Sequence, residues 1–186
     1  PVAIAGAFAM LYLWLVVPYL MKERKTPFSD ASPRIFTAKL FIPEDSISKG
    51  DQNFPIPTLP EGFKIMFAGN VGEAQDMEGV MNAALHLKNY PEIKLIIVGD
   101  GRKMPFVQEF IQKNNLQETV VTVGQFPLEA MASFFAKADV MLVSLRDDAI
   151  FNITVPAKTQ AYMSASKPII AMLNGEGADL IEEAKC

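Results

Sequence analysis

The sequence PAKTQAYMSASKPIIA at residues 156–171 predicts a short helix, a turn and a buried strand. Pro156 suits the first turn of a helix, where its missing N–H would have had no partner, and Lys158 falls in the same turn. A helix start carries unpaired N–H groups and the positive end of the helix dipole, so a lysine there is unfavourable unless an anion binds beside it. The stretch therefore favours an anion site at this helix start. The alternative is that Lys158 is an ordinary solvated helix residue.

The chain before this stretch alternates between apolar runs and segments with helical spacing. The apolar runs, with the one that ends the quoted stretch, are residues 63–68, 94–98, 120–123, 139–144 and 168–172. They lack an apolar–polar alternation, which is typical of strands covered by helices on both faces. With right-handed crossovers the pattern predicts an α/β fold: a doubly wound, Rossmann-like parallel sheet with the strand order 3-2-1-4-5. Residues 177–184 predict a last helix.

Ligands of such sheets bind at the carboxyl edge, so the loops after the strands are the candidate site. These loops are residues 69–73, 99–101, 124–127, 145–155 and 174–177. Three of them begin with glycine directly after the strand, which lets a ligand approach the backbone but is also ordinary turn chemistry. The five loops together favour a ligand site more than any one of them does.

Several familiar sites do not fit the sequence. The loop after the first strand lacks the third glycine of the dinucleotide fingerprint, and Val98 and Gly99 stand where an acidic residue would hold a ribose. The phosphate-binding pattern of P-loop enzymes is absent as well. Asp147 and Asp148 form either an acid/base pair or a pair of solvated loop carboxylates.

Composition excludes further classes. The net charge of -4 argues against nucleic acid as a partner, because such proteins need a basic surface. The single cysteine, Cys186, and the single histidine, His86, leave no disulfide framework, no expected metal site and no serine–histidine triad. These features fit a reducing, cytoplasmic compartment.

The N-terminal part has a different character. Residues 1–21 contain no charged side chain and could cross a bilayer of roughly 30 Å as a helix. Lys22, Arg24 and Lys25 follow, which would place the rest of the chain at the cytoplasmic, inner face of the membrane. The alternative for residues 1–25 is an apolar helix that is buried against a protein neighbour or lies on the membrane surface. Residues 26–60 are rich in proline and predict an irregular linker, with one short strand at 35–42.

Four segments carry a resemblance to a known family: FAGNVGEAQD at 67–76, IIVGDG at 96–101, TVPAK at 154–158 and YMSASKPIIA at 162–171. In order and spacing they resemble the C-terminal, donor-binding domain of retaining glycosyltransferases of family 4, which have the GT-B fold. They are most similar to the L-fucosamine transferase (WbuB-like) group of surface-polysaccharide synthesis, such as O-antigen synthesis. The resemblance covers about residues 60–186 and is not expected to extend to residues 1–59.

The resemblance implies transfer of a sugar from a nucleotide-diphosphate donor, UDP-linked, to a glycan or lipid-linked acceptor, with no metal and no other cofactor. It assigns no catalytic side chain. The implied diphosphate-binding residues are Gly69, Asn70, Gly72, Gln75, Thr154, Val155, Pro156 and Lys158. The implied nucleoside-binding residues are Gly99, Asp100, Gly101, Gln125 and Phe126. Residues 61–186 would be a donor domain truncated at its C-terminus, without the acceptor-binding domain and inactive alone.

Two departures from the family pattern concern charge. Many members carry two glutamates eight residues apart, and the aligned positions here are Ile153 and Ala161. The basic pair usual after the first strand appears as Asn70 and Gln75, so Lys158 and backbone N–H groups would meet more of the phosphate charge. Two other functions stay open: a non-catalytic nucleotide-binding or interaction module, and a sugar-nucleotide 2-epimerase.

Overall fold

A computed structural model describes residues 54–184 of the chain. The predicted apolar helix at 1–25, the strand at 35–42 and most of the linker lie outside these residues, so the domain boundaries stay predictions. Residues 54–60 contain no helix or strand. Phe54, Ile56 and Leu59 nevertheless pack against the core, so the end of the predicted linker is attached to the domain.

The five predicted strands all form. They are β1 Phe63–Ala68, β2 Ile93–Val98, β3 Val120–Gly124, β4 Val140–Ser144 and β5 Ile169–Met172. Every pair of neighbouring strands is parallel, and the order β3-β2-β1-β4-β5 confirms the prediction. The central strands are covered on both faces: consecutive residues of β1 (Met66, Phe67) and of β2 (Ile96, Ile97) are fully buried.

Helices connect the strands. They are α1 Met77–Leu87, α2 Met104–Asn114, α3 Met131–Lys137, α4 Ala149–Asn152, α5 Ala157–Ser164 and α6 Glu176–Ala184, with short 3-10 turns at Glu73–Gln75 and Leu128–Ala130. The predicted helical spacing is confirmed, as in α1, where Met77, Val80 and Ala84 are buried.

The interpretation of residues 145–155 as a loop was wrong in part, because this segment contains α4. Asp148 caps this single helical turn by accepting a hydrogen bond from the Ile150 N–H at 3.1 Å. The Thr154 hydroxyl donates to the Ile150 carbonyl at 2.8 Å and holds the end of the turn. Such a capped turn is stabilised locally and has no long periodic pattern to reveal it.

The core lies on both faces of the sheet. Met66, Ile96 and Met141 point to one face, where they pack with Phe134 of α3 and Tyr162 of α5. The intervening strand residues point to the opposite face, because side chains alternate along a strand. Because helices cover both faces of the sheet, the loops at its carboxyl edge are the part that a ligand can reach.

The sheet changes direction at β1. The chain passes from β1 outward to β2 and β3, then returns to form β4 and β5 on the other side of β1. The pairing of β1 with β4 comprises only Ile65 with Val140 and Met66 with Met141. Beyond Met66 the two strands no longer pair. This point of strand-order reversal is where ligands bind in open α/β sheets.

Candidate functional site

The loops after β1 and β2 pack backbone against backbone. The Gly69 N–H donates to the Val98 carbonyl and the Val71 N–H donates to the Asp100 carbonyl, each at 2.9 Å. Gly101 has a φ of +158°, and a Cβ there would overlap the Val71 carbonyl and the Asn70 side chain. Only glycine fits this approach, so the sequence fixes both loops in one arrangement.

A cleft of about 700 Å³ opens where these loops meet the loop after β3. Its lining includes seven of the predicted site residues: Gly69, Asn70, Gly99, Asp100, Gly101, Gln125 and Phe126. The lining also includes Val98, Arg102 and Met131, which sequence reasoning did not select. Arg102 is exposed and adds a positive charge, and its position directly after Gly101 is a signal by which the sequence could have indicated it. Phe126 packs edge-on against Phe134, with ring centres 4.8 Å apart.

Lys158 lies beside Gly69 but does not line the cleft. Its half-buried Nζ donates to the Gln75 side-chain oxygen at 2.7 Å and lies 3.9 Å from the centre of the Phe67 ring. Burial lowers the pKa of Lys158 to about 7. A methyl group added to Gly69 would lie 3.5 Å from this Nζ. Gly69 therefore borders both the cleft and the lysine.

The segment that carries Gln75 is fastened at several points. The Gln75 carbonyl accepts a hydrogen bond from the buried Ser144 hydroxyl at 2.6 Å, which ties the 3-10 turn to the end of β4. Lys103 pairs with Glu73 at 3.2 Å and with Glu78 at 3.4 Å. The hydrogen bond to Glu73 raises the pKa of Lys103. These contacts hold the loop between β1 and α1 against its neighbours.

The start of α5 has features of an anion site, because no nearby side chain of its own segment caps the helix or supplies a negative charge. Pro156 occupies the cap position with no side-chain hydrogen bond, and the first turn contains no acidic residue. Thr154, Val155 and Pro156 do not line the cleft, and neither does the buried Gly72. Their predicted contact with a diphosphate stays a prediction.

The carboxylates of the loop after β4 are used locally. Asp147 accepts a hydrogen bond from the Asn152 amide at 3.1 Å, and Asp148 caps α4. Both carboxylates therefore support α4, and the acid/base pair that was one alternative stays a prediction. Ile153 and Ala161 are the two positions at which the resemblance leads one to expect glutamate. Ile153 is 57% exposed, whereas Ala161 is buried in the core.

Residues 54–184 contain neither a membrane-spanning helix nor a cluster of metal-ligating side chains. No helix in this range is long and apolar enough to cross a membrane. Within the same range, no three or more histidine, cysteine, aspartate or glutamate side chains are grouped to hold a metal ion. The expected absence of a metal or other cofactor stays a prediction.

A protein-family model described as "Glycosyl transferases group 1" matches residues 62–186. A curated protein of Pseudomonas aeruginosa, described as "Probable glycosyltransferase WbjE", is 28% identical over 167 residues. The match covers 87% of this chain and 39% of that relative, so the chain spans well under half of its length. The aligned segment is longer than residues 62–186. It therefore extends into the N-terminal part, where no resemblance was expected.

Solved structures are similar in fold. Anabaena HepE, solved in complex with UDP and glucose, is 19% identical with a TM-score of 0.51, and the match covers 64% of this chain and 32% of that one. WaaG, a glycosyltransferase involved in lipopolysaccharide biosynthesis, is 16% identical with a TM-score of 0.53, covering 69% of this chain and 33% of that one. The described residues thus have the fold of a Rossmann-like half of these GT-B enzymes.

Proposed function

The chain belongs to the group 1 glycosyl transferases, and we propose that residues 61–186 bind the nucleotide-sugar donor of such an enzyme. The donor is a UDP-linked sugar. The transferase acts in the synthesis of a surface polysaccharide, and the L-fucosamine transferase (WbuB-like) group is the proposed subgroup.

The position of Gly69 between two different environments carries this proposal. On one side lies the cleft of about 700 Å³, which has the aromatic Phe126 and exposed backbone in its lining and suits a nucleoside. Lys158, the cation at the start of α5, lies next to the same glycine and suits a phosphate. A nucleoside diphosphate bound next to Gly69 would place its nucleoside in the cleft and its diphosphate at Lys158.

The chemistry follows from the charges. When the bond between the sugar and the diphosphate breaks, negative charge develops on the leaving phosphate oxygen. Lys158 and N–H groups at the start of α5 stabilise that charge, and such donors contribute about 3–4 kcal/mol each. The acceptor hydroxyl forms the new bond to the anomeric carbon, and its proton passes to the leaving diphosphate. Because no described side chain is placed as a nucleophile, we propose retention through attack on the face that the diphosphate leaves. The proposal includes no metal ion and no other cofactor.

The acceptor is proposed to be a glycan or a lipid-linked sugar, held by a part of the enzyme outside residues 61–186. This location is a proposal because the chain spans 39% of its curated relative. We propose that the enzyme acts in the cytoplasm at the inner face of the membrane, where the uncharged residues 1–21 would contact the bilayer. Residues 61–186 by themselves are proposed to bind the donor and not to transfer its sugar.

A non-catalytic nucleotide-binding module is the second candidate. The observation in its favour is that Ile153 and Ala161 have no group to hold a donor hydroxyl at the positions where many members have glutamate. Such a module would bind UDP as tightly as a UDP-sugar, whereas a donor site gains contacts from the sugar.

Calorimetric titration of the 186-residue chain tests the proposal. We expect binding of UDP, tighter binding of the matching UDP-sugar, and binding of uridine at least about tenfold weaker than UDP because it lacks the charged diphosphate. NAD should bind more weakly than UDP, because Val98 and Gly99 stand at the end of β2 where an acidic residue would hold its ribose. No heat of binding with UDP, or a preference for NAD, would contradict the proposal.

A further inference from the structure

The hydroxyl of Tyr162 binds both backbone groups of the last residue of β1. It donates to the Ala68 carbonyl at 2.8 Å and accepts from the Ala68 N–H at 3.0 Å. The side chain is 1% exposed, and its ring packs edge-on against Phe135 with ring centres 5.4 Å apart. Burial raises the pKa of Tyr162, so the hydroxyl keeps its proton and remains a donor. The hydroxyl can therefore donate and accept at the same time over the physiological pH range.

This contact lies at a point where β1 has no neighbouring strand to pair with on the side of β4. The Gly69 N–H points to β2 and donates to Val98, so the preceding backbone groups of Ala68 point the other way, towards β4. The pairing of β1 with β4 has already ended at Met66. Without the hydroxyl, two buried backbone groups would lose their partner at this point. Tyr162 thus takes the place of a strand at the switch point of the sheet.

The same contact joins the two halves of the proposed phosphate site. Ala68 directly precedes Gly69, which borders the cleft. Lys158 precedes Tyr162 by four residues, so both side chains lie on one face of α5. The hydroxyl therefore fixes the start of α5, and with it the Lys158 ammonium group, relative to Gly69.

We propose that Tyr162 is a positioning residue of the diphosphate site, which acts by holding Lys158 against Gly69. The inference rests on the proposed function, and it goes further by assigning a role to a buried side chain that touches no ligand. A purely structural tyrosine would change the stability of the whole domain and leave the discrimination between UDP and uridine intact.

The substitution Tyr162→Phe removes only the hydroxyl. We expect UDP affinity to fall about tenfold and uridine affinity to change less than about twofold, because uridine occupies the cleft alone. Leu87→Ala is the control: it removes buried side-chain volume at the end of α1 and lowers stability, but it should leave both affinities unchanged. Binding is measured below the unfolding transition of each variant, as followed by circular dichroism.

A double-mutant cycle separates positioning from a general loss of order. If Tyr162 acts through Lys158, Tyr162→Phe should weaken UDP binding less than about twofold once Lys158→Ala is present. Should Tyr162→Phe fail to fold, Phe135→Leu replaces it. This variant frees the tyrosine ring but keeps the hydroxyl, so we expect a smaller loss of UDP affinity with uridine unchanged.

The outcomes are distinguishable. If the parent binds UDP but Tyr162→Phe binds it equally well, or loses UDP and uridine affinity alike, the positioning role is wrong while the proposed function stands. Additive effects of the two substitutions would also overturn it. If the parent itself does not bind UDP, the proposed function is wrong and this inference with it.

Discussion

The ammonium nitrogen of Lys158 lies 3.9 Å from the centre of the Phe67 ring, which is fully buried. The aromatic face attracts the cation but cannot replace the water that the charge has lost. The Gln75 oxygen, 2.7 Å away, is the neutral partner of the ammonium group, and Glu73 in the same 3-10 turn pairs with Lys103. Tyr162, the titratable group one turn further along α5, is bound to Ala68. Lys158 is therefore a cation without an anion among the described residues that contact it.

The first prediction concerns the pH dependence of UDP binding. Burial lowers the pKa of Lys158 to about 7, so the neutral form prevails above that pH and attracts a diphosphate poorly. UDP affinity should therefore fall as the pH rises from about 7 to about 9, by at most about tenfold per pH unit, with uptake of a proton on binding. Calorimetry in buffers of different ionisation enthalpy measures both quantities. Lys158→Ala should bind UDP with little pH dependence in this window, and the same slope as in the parent would contradict the role of Lys158.

The second prediction concerns stability. The folded pKa of Lys158, about 7, lies below its ordinary value of 10.5, so the unfolded chain binds more protons between these values. The unfavourable contribution of Lys158 is then fully present below about pH 7 and disappears as the pH rises towards the unfolded pKa. Lys158→Met should raise the free energy of unfolding by about 1 kcal/mol or more near pH 7. The gain should shrink towards pH 10.5.

Urea denaturation at several pH values measures this difference. Lys113→Met, at an exposed lysine in the last turn of α2, is the control. A gain from Lys158→Met that is constant over the pH range, or equal to that of the control, would show that the buried charge is not its cause.

The third prediction tests the contact between the first two loops. Gly101→Ala meets the Val71 carbonyl and the Asn70 side chain and also strains a φ of +158°. It should cost about 1–3 kcal/mol of stability and weaken uridine binding more than about tenfold, because the cleft loses its shape. Gly124→Ala is a matched control: its φ of +82° is strained too, but an added Cβ meets nothing within 4 Å. Equal effects of the two substitutions on uridine binding would contradict the importance of the loop contact.

The fold was predictable because its signals are local. An apolar run such as residues 94–98 is visible in consecutive positions of the sequence. The rule that crossovers are right-handed then leaves few possible strand orders. Gly69, Gly99 and Gly101 were predictable at the site for the same reason: each follows the end of a strand.

The contacts of the site were less predictable. Lys158 and Gln75 are separated by 83 residues, and Tyr162 and Ala68 by 94. No periodicity or spacing indicates which side chain accepts a hydrogen bond from the lysine. Nor does it indicate which hydroxyl binds backbone groups where a strand is missing. The sequence left open whether Lys158 binds an anion or is an ordinary solvated residue. Its half-buried position over Phe67 could not be predicted, because only tertiary packing determines it.

The central claim is that Lys158 holds the diphosphate of the donor, and the direct test is UDP binding by Lys158→Ala at low salt and near pH 6.5, where the charge is present and little screened. We expect a loss of about 1.5–3 kcal/mol, because a charge-assisted contact is removed that the neutral Asn70 and Gln75 cannot replace. Asn70→Ala should cost only about 0.5–1.5 kcal/mol, and uridine should bind both variants as it binds the parent. Equal UDP affinity of the parent and Lys158→Ala would contradict the account and leave Lys158 as a buried structural lysine.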